Sequence, residues 1–177
     1  MPCYVARMAR SRAVARGLPA VPVLVAALLG SAGWGWFTGG HTAAHLPATV
    51  ISVVDGDTVV VRLRGGAVEK IRLLGVDTPE VVDPRKPVQC FGHVASDFTR
   101  SQLTGKRVSL ELDAEQRDKY GRLLAYVILD GRRYNDELLE RGYARFLVIP
   151  PNGSHARAML REELAARAAG RGLWGEC

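Results

Sequence analysis

Thr49-Val50-Ile51-Ser52-Val53-Val54, then Asp55-Gly56-Asp57, then Thr58-Val59-Val60-Val61-Arg62-Leu63: two runs dense in β-branched residues flank a short polar phrase. Branching at Cβ favours extended backbone, and an Asp-Gly pair between two such runs is a strong hairpin signal. Arg64-Gly65-Gly66 makes the next turn, and Val68 to Val76 reads as a third strand, so the region begins as a three-stranded antiparallel meander.

Downstream, Asp83 to Pro87 is a proline- and lysine-bearing loop. Val94, Phe98 and Leu103 then have helical spacing, with Gly105 as the stop. Arg107 to Leu112 and Leu123 to Leu129 read as two more strands, the second ending at Asp130-Gly131. Asn135 has the chemistry of an N-cap for a short helix closed by Gly142, and Ser154 that of a cap for a last helix ending near Gly170. Five strands with a helix between the third and fourth is the order of a small closed Greek-key barrel, the OB-fold. The expected class is α+β, mainly β, with three helices. Periodicity alone leaves other α+β sheet packings open.

The chain of 177 residues has room for one domain and a leader. Arg7, Arg10, Arg12 and Arg16 precede an apolar run from Leu18 to Gly30, the order of a secretory signal. Gly30-Ser31-Ala32 and Thr42-Ala43-Ala44 both suit cleavage. The alternative is a retained anchor, since the 20 residues from Leu18 to Phe37 are uncharged and long enough to span a bilayer. The expected division is therefore 1–44 as signal peptide or N-terminal membrane anchor and 45–177 as the domain. Either way the domain would be secreted or held at the membrane outside the cytoplasm.

The leader arginines account for most of the formal charge of +6; without them 20 basic residues face 18 acidic ones. Overall basicity is thus no argument for a polyanionic partner, and any such affinity must come from local clustering. Outside the leader, which holds Cys3, only Cys90 and Cys177 remain. An even pair in an oxidising compartment reads as a disulfide, the alternative being two unpaired thiols. Closing so long a loop contributes about 4–5 kcal/mol in the chain-entropy model.

Three phrases carry chemistry. Val54-Asp55-Gly56-Asp57-Thr58 and Arg72-Leu73-Leu74-Gly75-Val76-Asp77-Thr78-Pro79-Glu80 put carboxylates and a guanidinium on neighbouring segments. Asp118-Lys119-Tyr120-Gly121-Arg122 adds a second guanidinium. Carboxylate oxygens suit a hard divalent cation, and planar guanidinium suits a phosphate. Singly, each phrase reads equally well as a turn, a solvated strand face (the reading for Arg62 and Arg64) or a rim salt bridge. Together they ask for metal-assisted attack on a phosphodiester. The lone histidines fit no ligand pattern, and Trp174 is expected to pack the C-terminal tail.

These phrases, with Leu124-Ala125-Tyr126, the Gly92, Ala95, Ser96 and Phe98 positions and Pro151-Asn152, resemble the staphylococcal (thermo)nuclease family from about residue 49 to Trp174. The resemblance implies an OB-fold barrel and a calcium-dependent phosphodiesterase acting on DNA and RNA, leaving 3′-phosphates; the sequence leaves the oligomeric state open, with a monomer as the default expectation. By position it implies Asp57 and Asp77 as metal carboxylates, Thr78 as a backbone carbonyl ligand and Glu80 as general base. It likewise implies Arg72 and Arg122 as phosphate clamps, with Lys119 and Tyr120 on a terminal phosphate. The runner-up is a non-catalytic nucleic-acid-binding OB module. One departure stands out: after Ala144 the stretch Phe146-Leu147-Val148-Ile149-Pro150-Pro151 lacks the tyrosines on which the family stacks a base. Stacking is worth roughly 1–3 kcal/mol per base, so weaker substrate binding or another base platform is expected, with Arg85 and Lys86 available to compensate.

Overall fold

The structure, a computed structural model, describes residues 45–81 and 87–177. The expected leader, its cleavage sites, Cys3, and the loop charges Arg85 and Lys86 lie outside the described residues.

The hairpin forms at the expected place. Strand β1 (His45–Asp55) pairs antiparallel with β2 (Thr58–Leu63), which pairs with β3 (Val68–Leu73). Two register shifts, at Val50/Ser52 and Val53/Asp55, bend β1. That bend lets its first half also pair with β5 (Arg107–Glu111). Strand β5 pairs with β6 (Leu123–Leu129), and the parallel pairing of β6 with β3 closes a five-stranded barrel. Closure removes the free edges that a small open sheet would expose.

Alternation supplies the core. Val59 and Val61 point inward with Val50, Ile71, Leu73, Leu110, Ala125 and Val127, all essentially buried. Burying a Val or Leu side chain is worth about 1.5–3 kcal/mol, so these residues dominate the barrel's stability. Helix α1 (Gly92–Leu103) lays Ala95, Ser96, Thr99 and Leu103 inward. Helix α2 (Tyr134–Glu140) comes directly after the two-residue strand β7 (Arg132–Arg133), and α3 (Ala156–Ala168) packs on α2.

The expected third strand is broken. Leu74 leaves the hairpin and gives its N–H to Ala125 of β6 at 3.0 Å. Gly75 adopts φ +76°, where a Cβ would also meet Met159, so only glycine fits. The chain resumes as β4 (Gly75–Asp77), paired with β8 (Arg145–Leu147).

Asn135 is not an N-cap. The helix begins two residues earlier than such a cap would place it, at Tyr134 after Arg133, and fully buried Asn135 accepts from Val127 N–H and donates to Leu74 C=O, each at 2.8 Å. Ser154 does not cap α3 either: its hydroxyl and N–H both go to Asp113, and His155 precedes the helix. A final turn, α4 (Leu173–Glu176), ends the chain with Arg167 stacked 4.0 Å over Trp174.

Candidate active site

The β1–β2 turn delivers Asp57. Its N–H donates to Asp55 Oδ1 at 3.1 Å, an Asx-type closure that explains why this turn carries two aspartates. Asp57 is only 6 % exposed and its oxygens are heavily used. Oδ1 accepts from the Thr58 hydroxyl at 3.1 Å, and Oδ2 from Thr78 N–H at 2.9 Å and its hydroxyl at 3.1 Å. Gly56 permits that approach, since a Cβ there would lie 2.7 Å from the Thr78 side chain. From the other side, the Thr99 hydroxyl of α1 holds the Gly56 carbonyl at 2.8 Å and is itself held by the Tyr134 hydroxyl.

Arg72 reaches the same place because β3 pairs Arg72 with Thr58 in register. One guanidinium nitrogen, Nη1, lies 3.2 Å from Asp57 and bonds the carbonyls of Leu73 and Val76; Nη2 lies 3.3 Å from Asp77. The break at Leu74 makes this possible, by turning β4 back beneath the guanidinium.

Burial and the neighbouring Asp57 charge push the Asp55 carboxyl up to about 7. Burial first, then Asp57, also raises Asp77, against the pull of Arg72 and Arg145. Carboxylates this crowded are short of positive charge. Among the described residues, no three His, Cys, Asp or Glu side chains already stand at metal-ligating spacing, and Arg72 bridges Asp57 and Asp77. The donor set is all oxygen and anionic, which fits a hard cation that takes six to eight oxygens, many from water.

Glu80 comes after Pro79 at the end of this segment. Its Oε1 accepts from Val81 N–H at 2.9 Å, and its own N–H donates to Gln89 Oε1 at 3.1 Å. Asp55, Asp57, Arg72, Asp77, Glu80 and Arg122 share one hollow of about 280 Å³.

Arg122 arrives on a tight turn. Asp118 Oδ1 accepts from the N–H groups of Tyr120 and Arg122, and its Oδ2 pairs with Arg122 Nε at 2.7 Å. Burial works to raise Asp118, but Arg122 and these N–H bonds outweigh it and hold the carboxyl below its ordinary value. Lys119 and Arg122 lie 5.1 and 5.4 Å over the Tyr120 ring, which is 72 % exposed.

A second hollow, of about 430 Å³, adjoins the first and shares Arg72 and Arg122 with it. Lys119 and Tyr120 stand at its polar side; Leu74, Leu124, Leu147 and Ile149 make it apolar. All the site residues expected from the sequence except the cysteines therefore line these two hollows. The cysteines are joined elsewhere, as a disulfide with Cα atoms 6.1 Å apart.

The staphylococcal nuclease homologue family matches residues 70–176. The chain belongs to that family. It is 43 % identical over 122 residues to the thermonuclease of Staphylococcus intermedius, covering 69 % of this chain and 72 % of that one. Against the thermonuclease of Staphylococcus hyicus it is 41 % identical over 125 residues, 71 % and 73 % of the two chains. With the SPbeta prophage-derived endonuclease YokF of Bacillus subtilis the figures are 37 % over 130 residues, 72 % of this chain and 44 % of the relative.

Four residues of the two hollows are given no site role by the sequence. Asp55 looks like turn chemistry alone, though its place two residues before Asp57 is a signal. Gln89 carries none. Leu147 and Ile149 stand out only as missing tyrosines, and their apolar character is the usable clue.

Proposed function

We propose that this chain is an exported, calcium-dependent nuclease that hydrolyses phosphodiester bonds of DNA and RNA and leaves 3′-phosphates. One observation carries the reading: Arg72 and Arg122 face both hollows, so a phosphate held between them sets a nucleoside toward the apolar side and the scissile bond toward Glu80.

Asp57, Asp77 and the Thr78 carbonyl would hold the calcium. When bound, calcium supplies Lewis-acid polarisation of a phosphate oxygen and offsets charge as the nucleophile approaches. The protein's own groups do the rest. Glu80 accepts a proton from the attacking water, for which it must come within hydrogen-bond reach of it. Arg72 and Arg122 donate N–H bonds where negative charge grows on the equatorial oxygens, each supplying roughly 3–4 kcal/mol as such donors do. Lys119 and Tyr120 hold a terminal phosphate at the rim. Leu147 and Ile149 offer branched aliphatic contact in place of aromatic stacking, so binding is weaker and less dependent on the base.

Residues 1–44 serve as signal or anchor, and the protein acts as a monomer outside the cytoplasm. The test is release of acid-soluble nucleotides from single-stranded DNA and from RNA, with calcium and with chelator. Calcium-dependent release supports the reading. Binding with a strong salt slope and no release would make the chain a nucleic-acid-binding module instead.

A further inference from the structure

Glu80 sits on a segment gripped from one side. Its N–H donates to the Gln89 side-chain oxygen at 3.1 Å, and its carbonyl accepts from Gln89 N–H at 3.0 Å, so one residue clasps both backbone groups of Glu80. The Glu80 carboxylate is bonded in turn to Val81 N–H at 2.9 Å. The Glu80–Val81 peptide thus carries two constraints: its carbonyl is fixed by Gln89, and its N–H aims the carboxylate. Turning that peptide would turn the carboxylate with it.

Gln89 is itself held by the start of α1 and by its neighbour Cys90. Gly92 N–H donates to the Gln89 carbonyl at 2.9 Å, and α1 begins so close to the segment that a Cβ on Gly92 would lie 3.2 Å from the carbonyls of Pro79 and Glu80. Cys90 is bonded to Cys177 across 87 positions. That far end is firmly seated: Leu173 is buried and donates its N–H to Gly142 C=O at 2.9 Å.

We propose that Gln89 is a positioning residue for Glu80, and that the Cys90–Cys177 bond holds Gln89 in place by fastening it to the C-terminal turn. The inference rests on Glu80 acting as the base. It gives the disulfide a role in catalysis, through backbone geometry, that a purely stabilising cross-link would not have. Small displacements of a catalytic group are costly, up to about a hundredfold per ångström.

The experiment combines kinetics with amide exchange on the full chain. Gln89→Ala and the double variant Cys90→Ser/Cys177→Ser are made in the natural background and in Glu80→Gln. Cleavage of single-stranded DNA in calcium is resolved into kcat and KM, and exchange of the Glu80 amide is followed by NMR well below each variant's melting temperature. Expected in the natural background is a fall in kcat of about tenfold, KM changed less than twofold, and Glu80 amide exchange faster by about tenfold. In the Glu80→Gln background the same changes cost less than twofold, because the group they position is gone.

Equal losses in both backgrounds, a rise in KM alone, or Glu80 exchange unchanged in the cysteine variant would overturn the proposal. If the cysteine variant does not fold, Gln89→Ala with the disulfide intact decides the kinetic arm, and Glu80 amide exchange in folded wild-type protein before and after reduction with dithiothreitol decides the role of the disulfide, unchanged exchange overturning it. Wild-type protein that fails to cleave would overturn the reading of Glu80 as base, and is seen before any variant is compared.

Discussion

Thr78 gives both its backbone N–H and its hydroxyl to one oxygen of Asp57, at 2.9 and 3.1 Å. Residues 21 apart are thereby locked together inside the acidic hollow, and the lock fixes how Asp57 can face a cation. Thr78→Val keeps the shape and the N–H bond but removes the hydroxyl. It should cost about 1 kcal/mol of stability, read from urea unfolding, and weaken calcium binding severalfold by calorimetry. Thr78→Ser should retain both.

The guanidiniums are asymmetric in their supports, yet both depend on planarity. Arg72 is braced by two carbonyls and two carboxylates, Arg122 by Asp118. Lysine preserves charge and loses the fork. Arg72→Lys and Arg122→Lys should each lower kcat by about a hundredfold or more, while the melting temperature changes little for Arg122→Lys.

Asn135 joins three parts of the fold through one buried amide, tying its own helix α2 to β6 and to the Leu74 break. Asn135→Ala leaves a buried N–H and a buried carbonyl unpaired, so a loss of about 2–5 kcal/mol is expected in denaturant unfolding. Because Leu74 leads into β4 and Asp77, residual activity of the folded fraction should fall as well.

Stability should also fall in acid through Asp113. Burial pushes that carboxyl up, but bonds from Ser154, Ala114 and the Tyr126 hydroxyl outweigh it and hold it below its ordinary value. A group depressed in the folded state stabilises the protein above its unfolded value, and the contribution is lost as pH falls through the folded one. Melting temperature should therefore drop as pH falls below about 4. Asp113→Asn should be less stable at neutral pH and lose less on acidification.

Much of this molecule is legible in its sequence for a simple reason. Barrel strands announce themselves by runs of β-branched residues, as Val59, Val60 and Val61 do, and metal and phosphate chemistry by residue type, as Asp57, Asp77 and the arginines do. The hidden features depend on distant partners. Nothing local to Leu74 says that Ala125 will take its N–H, and Asn135 has the look of a cap because a buried amide clamp needs β6 and Leu74 to be seen. Ser154 misleads likewise, its partner Asp113 lying 41 residues away. Gln89 is an ordinary loop residue until its bonds to Glu80 are drawn.

The most direct test of the central claim is cleavage of single-stranded DNA by the wild-type chain and by Glu80→Gln, each with calcium and with chelator. Expected are calcium-dependent release of acid-soluble nucleotides by the wild type, and a fall of about a hundredfold or more in Glu80→Gln with DNA binding preserved. Undiminished cleavage by Glu80→Gln, or wild-type cleavage indifferent to chelator, would contradict it.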